Sequence, residues 1–416
     1  LSYPEFLSRY NGRRRGVYEN AVKQLLAEGL GRAGATLTSF VKAEKVLVTE
    51  EKPDPVPRLI QPRSPVFNAA LGVHIAHLEK PIYRAIAEVM GGPTVMKGYN
   101  SKMTARHLRD AWDSFKHPVC VGLDASRFDQ HVSPELLRWE HEVYLGCVPG
   151  QDRSTLRELL HMQLRNVGRI ITDEGTIKYA VDGCRMSGDM NTALGNCLIS
   201  CALGCTFMEE RGIKGRFFNN GDDCLFIVER EDLGRLTNLA GWYRGFGFTM
   251  KVEAPVMEFE QIEFCQTHPV WTPEGWVMVR NPRSALAKDA TILLPVTNQK
   301  YAMGWYTAVG ECGLSLSGGI PVFQEFYSAL LRAGGGVRIG RNDQMESGFF
   351  HLAAGMDRRY SDVHPRTRYS FWRAFGILPH AQEVLEETYR STHLDGMISQ
   401  GKVLTDIPDA LFAPTW

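Results

Sequence analysis

The chain has no secretory signal, no internal repeat, no low-complexity tract and no CxxC pair among its nine cysteines. These absences set aside a secreted disulfide scaffold, a solenoid and a zinc-ribbon module. No apolar run reads as long enough to span a bilayer. Net charge is missing too. With 47 Lys and Arg against 47 Asp and Glu, nothing global draws the molecule to a polyanion, although a local basic groove fits inside a neutral total. Residues 1–63 carry a modest basic excess, eleven Lys or Arg against seven Asp or Glu. Cys197, Cys201 and Cys205 recur every fourth residue. With no fourth ligand at suitable spacing, they read as a stripe of small buried hydrophobes on a helix rather than a metal site. An odd, unpatterned cysteine count argues for free thiols in a reducing compartment.

What is present describes a folded globular chain, 44% hydrophobic and 23% charged. A length of 416 residues suggests two or three subdomains. The first residue is Leu rather than Met, which reads as a piece of a larger product, with any membrane anchor in the absent part. Residues 1–39 read as mostly helical. A Pro-rich extended loop follows at 52–58, then helical stretches over 68–89 and 134–165, the latter opened by Pro134. A buried strand is predicted over 119–123, a hairpin over 169–179 and one long helix over 190–210. Composition shifts after about residue 271, where aromatics and Gly-rich loops suggest a separate subdomain.

Gly221-Asp222-Asp223 lies between two short strand-forming runs, residues 216–219 and 224–228. Asn220-Gly221 tolerates positive φ at both positions and predicts a hairpin presenting Asp222 and Asp223 at its tip. Alone, an acidic turn is a common solvated feature. A second acidic cluster changes that reading. Asp124 closes the strand at 119–123, and Asp129 follows in Asp124-Ala125-Ser126-Arg127-Phe128-Asp129. If this strand lies beside the hairpin, Asp124 meets Asp222 and Asp223. Two carboxylates about 4 Å apart repel by roughly 4 kcal/mol at an effective dielectric near 20. Three remain ionised together only with cations beside them, and two divalent ions about 3.5–4 Å apart suit a phosphoryl displacement.

The stretch Gly183-Cys184-Arg185-Met186-Ser187-Gly188-Asp189-Met190-Asn191-Thr192 leads a Ser-Gly loop into the long helix. Ser187 and Gly188 suit close approach to a backbone or a sugar. Thr192, Asn196 and Ser200 share one helix face, and such a polar stripe needs partners: a nucleotide ribose, or capping and neighbouring backbone. Lys42, Lys45, Lys52, Arg58 and Arg63 form a basic set around the Pro-stiffened loop. They suit a triphosphate or, equally, a solvated surface. Arg13-Arg14-Arg15 suits a surface or an RNA backbone.

Together, Asp124-x4-Asp129, Ser187-Gly188-x3-Thr192-x3-Asn196 and Gly221-Asp222-Asp223 resemble, in order and spacing, the motifs of right-handed RNA-dependent RNA polymerases of positive-strand RNA viruses. Phe248-Thr249-Met250-Lys251-Val252-Glu253, Ile262-Glu263-Phe264-Cys265-Gln266, and Asn11-Gly12-Arg13-Arg14-Arg15 with Tyr18-Glu19-Asn20-Ala21 resemble the tombusvirus and carmovirus group over residues 10–330. The resemblance implies an α+β right-hand fold whose palm is an antiparallel sheet backed by helices. Fingers would take 1–118 and 134–182, palm 119–133 and 183–270, thumb 271–416. It also implies template-directed nucleotidyl transfer from NTPs to an RNA 3′-hydroxyl with two Mg²⁺, for which Mn²⁺ can substitute.

Carried over by position, Asp124 and Asp222 are the principal metal ligands, with Asp223 alongside. Asp129, Ser187 and Asn196 read the ribose 2′-hydroxyl, supported by Thr192 and Gly188. Lys52 and Arg58 hold the triphosphate with Lys42 and Lys45. Lys251 is a proton donor to pyrophosphate, and Phe264, Cys265 and Gln266 lie near the primer end. The implied partners are RNA template and product strand, NTPs, another viral replicase protein and an upstream membrane-targeting segment; the sequence does not identify host factors. That segment would place the chain at membrane-associated replication complexes in the host cytoplasm, as the C-terminal part of a readthrough product. The rivals are a reverse transcriptase, an inactive RNA-binding scaffold and a metal-dependent nuclease. The ribose-reading pattern, the intact acids and the triphosphate loop weigh against each in turn.

Overall fold

The computed structural model describes residues 1–46, 48, 53–293, 296, 298–339 and 348–392. It divides into two compact units. The first comprises Leu1–Lys42, Val56–Met96 and Val121–Pro255, the second Ala43–Pro55, Lys97–Cys120 and Val256–Trp416. Among the described residues the strands in chain order are β1 (Leu37–Val41), β2 (Leu59–Ile60), β3 (Pro118–Ala125), β4 (Arg165–Thr172), β5 (Gly175–Asp182), β6 (Gly215–Asn220), β7 (Asp223–Glu229), β8 (Met250–Val252), β9 (Thr267–Thr272) and β10 (Gly275–Arg280). The architecture is mixed helix and sheet. Antiparallel pairing dominates, and β1 pairs with β4 in parallel.

The first unit holds two four-stranded sheets, ordered β2-β1-β4-β5 and β6-β7-β3-β8. The second of these carries the acids. Its strands are apolar on both faces: Phe217, Phe218, Leu225, Phe226, Ile227 and Val228 are all buried without remainder. Both faces are covered, and the predicted long helix, Thr192–Arg211, packs against β6. That helix revises an expectation. By length and composition it is apolar enough to cross a membrane. Here it is a core element, burying Leu194, Cys197, Ile199, Cys201 and Phe207, the last against Phe226 of β7 at 6.0 Å between ring centroids. Cys197 and Cys201 are buried free thiols and Cys205 is partly exposed.

Helix Pro134–Cys147 starts where its proline predicts, with Ser133 accepting a cap bond from the Leu136 N–H. The stretch read as helical over 68–89 is two helices, Pro65–Ile75 and Glu79–Val89. Pro81 lacks an N–H and its ring would collide with the carbonyl four residues back, so it sits in the first turn of a new helix. The second unit is built on the β9–β10 hairpin and on helices Gln299–Ser317, Phe323–Gly334, Pro365–Phe375 and Pro379–Ser391. Val270, Val277, Leu286, Phe323, Tyr327 and Phe371 are in its core.

Candidate active site

The acidic turn differs in register from its sequence reading. Asn220 pairs with Asp223, so the two-residue connection is Gly221-Asp222 rather than Asn220-Gly221. Gly221 has φ 92°, as a turn with glycine at its first central position requires. Asp222 is therefore at the tip, whereas Asp223 is the first residue of β7. Two polar side chains that the motif does not include hold this turn. Asn219, fully buried, accepts from the Gly221 N–H at 3.1 Å and donates to the Gly221 carbonyl at 2.8 Å. Ser200, from the core helix, donates to the same carbonyl at 2.8 Å. The helical spacing of Ser200 was visible in the sequence; its partner was not.

Asp124 is the penultimate residue of β3, next to β7 in the sheet. Its cross-strand neighbour on β8 is Lys251. Both are exposed, as is Asp222. Between the acids lies Cys224, whose Sγ is 4.0 Å from the Leu123 carbonyl oxygen. Burial raises the pKa of this thiol, and the negative charges of Asp223, Asp222 and Asp124 raise it further. All three carboxylates thus act on one buried point. Their all-oxygen chemistry fits a hard cation such as Mg²⁺. Among the described residues, however, no three acidic, His or Cys side chains already stand grouped as a ligand cage.

Beside the acids, Arg127 enters the left-handed region (φ 53°) and starts the short helix Phe128–His131. Phe128 stacks on Phe248 at 4.5 Å and anchors it. This geometry presents Asp129 to the core helix, where Asn196 Nδ2 donates to Asp129 Oδ1 at 2.7 Å. Burial raises the Asp129 pKa. The Asn196 bond and the Arg185 charge oppose that shift, while the charges of Asp222 and Asp189 add to it. Asp129, Asn196 and the acidic turn are therefore one electrostatic site.

The Ser-Gly loop is held from two sides. Thr192 Oγ1 donates to the Met186 carbonyl at 2.7 Å. Ser187 Oγ accepts from the Gln61 N–H and donates to the Leu59 carbonyl, each at 3.3 Å. Gly188 does approach a backbone closely, and that backbone is the chain's own at Gln61-Pro62. These bonds bring the loop to β2, where Arg58 is exposed and its carbonyl accepts from the Lys42 N–H at 2.8 Å.

Arg63 is a correction. It is not a loop cation but a buried side chain, 3% exposed, whose Nε donates to Asp189 at 2.6 Å and Nη1 to the Ala35 carbonyl at 2.7 Å. Lys45 belongs to the second unit, where Nζ donates to the Lys288 carbonyl at 2.5 Å and burial lowers its pKa. Lys52 lies outside the described residues. Phe264, Cys265 and Gln266 are also in the second unit. Cys265 and Gln266 have φ 54° and 59° and form a tight turn between Phe264 and Thr267.

A sheet-borne acidic turn, a third acid on the neighbouring strand and an Asp–Asn pair beside them lie together in the first unit. A family model described as viral RNA dependent RNA polymerase matches residues 1–396, and the chain belongs to that family. It is 46% identical over 406 residues to the RNA-directed RNA polymerase of melon necrotic spot virus, covering 96% of this chain and 51% of the relative. Against the RNA-directed RNA polymerase of carnation mottle virus the values are 45% over 395 residues, 94% and 51%. Against that of turnip crinkle virus they are 44% over 397 residues, 94% and 50%. The chain spans about half the length of the curated relatives it matches.

Proposed function

We propose that this chain is the catalytic part of an RNA-directed RNA polymerase, joining NTPs to an RNA 3′-hydroxyl under the direction of an RNA template. The observation that carries this reading is the Asn196–Asp129 hydrogen bond beside the Gly221-Asp222 turn. A polar pair that suits a ribose 2′-hydroxyl adjoins carboxylates that suit phosphoryl transfer. Asp129 would accept from the 2′-hydroxyl and Asn196 would donate to it, with Ser187 on the same loop. Arg58 and Lys42, at the end of the β1–β2 ladder, would hold the triphosphate, with Lys52. Lys251, opposite Asp124, would donate a proton to the departing pyrophosphate. Asp124 and Asp222 would hold two divalent cations with Asp223 alongside, and those ions, when bound, supply charge neutralisation and polarisation. Phe264, Cys265 and Gln266 would adjoin the primer end.

The acidic sheet and its core helix suit a palm, segments 1–118 and 134–182 fingers, and 271–416 a thumb. Membrane-associated replication complexes in the host cytoplasm, reached through a segment outside this chain, are the setting this reading implies. The test is nucleotide incorporation on a short RNA with Mg²⁺. Asp222→Asn is expected to abolish product while leaving circular dichroism and thermal unfolding unchanged. Product at the wild-type level would overturn the assignment.

A further inference from the structure

Behind Asn196 lies a buried pair of opposite charges outside the motifs. Arg185 and Glu140 are 2% and 0% exposed. The Arg185 guanidinium donates through Nη2 to Glu140 Oε2, and through Nε at 3.1 Å to Asn196 Oδ1. Glu140 is held in turn. It accepts from Tyr144 Oη at 2.7 Å and from Asn191 Nδ2 at 2.9 Å, and Asn191 accepts from Gln163 Nε2 at 2.9 Å. Every element of the chain Glu140–Arg185–Asn196–Asp129 is side chain to side chain.

The chemistry of the donors gives this chain a direction. A guanidinium is donor-only and an ionised carboxylate acceptor-only. Placed on either side of Asn196, they leave its amide one orientation: oxygen toward Arg185, NH₂ toward Asp129. Either neighbour alone leaves the other end of the amide without a fixed partner. A buried charge pair is seldom a net source of stability against apolar replacements of similar volume, so stability alone does not account for this one.

We propose that Arg185, oriented by Glu140, is a positioning residue that locks the Asn196 amide against rotation and thereby sets discrimination between ribo- and deoxyribonucleotides. This rests on the polymerase reading given above. Neither Arg185 nor Glu140 touches substrate in this assignment; they act through Asn196.

The test compares kcat/KM for CTP and dCTP on one RNA primer–template, for wild type, Arg185→Lys, the double variant Glu140→Gln/Arg185→Met, and Asn196→Ala. Arg185→Lys keeps the buried charge beside Glu140 but loses the planar fork that reaches both partners. The double variant removes both charges together, so no unpaired ion is left in the core. In each, the CTP-to-dCTP ratio is expected to fall about tenfold, the scale of losing one hydrogen bond to a charged group. Adding Arg185→Lys to Asn196→Ala is expected to lower the ratio no further, because both act on one amide. A merely structural role lowers incorporation of both nucleotides and the melting temperature together and leaves the ratio intact. That result, in either Arg185 variant, would overturn the proposal while leaving the polymerase reading in place. A wild-type chain that incorporates neither nucleotide would overturn both.

Discussion

A methyl group added at position 188 has no room. Its Cβ would lie 2.6 Å from Pro62 Cα and 2.8 Å from Pro62 N, and backbone atoms do not swing aside as a flexible side chain does. Gly188→Ala is therefore expected to cost about 1–3 kcal/mol in urea unfolding. It is also expected to raise KM for NTPs, because the displaced segment is the one to which Ser187 is bonded and from which Arg58 projects. At this scale the sequence is informative where chemistry is local. A Ser-Gly loop entering a helix, an acidic turn between strands and an Asp at a strand end each carry their own signal. Arg63, Glu140 and Arg185 were opaque for the opposite reason. A lone Arg or Glu reads as a surface charge until its partner, often distant in sequence, is known to lie against it.

Helix Pro134–Cys147 shows how an element can carry a pH response apart from the acids. His141 is 5% exposed, and its pKa is pushed down from 6.5 to about 4 by burial, an effect the neighbouring Glu140 charge only partly offsets. The unfolded chain binds this proton more readily than the folded one. The contribution to stability is therefore fully present above about pH 6.5 and declines as pH falls toward 4, by about 3 kcal/mol in all. His141→Gln, which does not titrate, is expected to flatten that part of the stability–pH curve between pH 7 and 4; an unchanged slope would show that other groups carry it. The helices themselves were legible where a cap or a proline marks them, as at Ser133-Pro134. The core helix Thr192–Arg211 was legible as a helix, but its surroundings were not. Mean apolarity cannot distinguish a lipid from a protein interior, and the aromatic neighbour Phe226 lies on β7, later in the chain.

At the scale of the molecule, each unit has a core of its own. Phe371, fully buried among Val270, Phe323 and Tyr327, is part of the second. Phe371→Ala is expected to cost about 3–5 kcal/mol through lost contacts and the cavity left behind. Hydrogen exchange would read this as faster exchange in helices Phe323–Gly334 and Pro365–Phe375; unchanged protection there would refute it. The second unit gathers residues 43–55 and 97–120 with the C-terminal part of the chain. The sequence alone determined which residue types are available and their local geometry: three acids at strand ends or in a turn, a Ser-Gly loop, and a helix face bearing Thr192, Asn196 and Ser200. These follow from short-range backbone and side-chain rules, which act within a few residues. Only the tertiary structure decided that Asn196 faces Asp129, that Ser200 and Asn219 hold the Gly221 turn, and that Arg185 fixes the amide from behind. Hydrogen bonds and ion pairs of this kind depend on atoms a few ångströms apart in space, and their separation along the chain leaves no periodicity or spacing from which to read them.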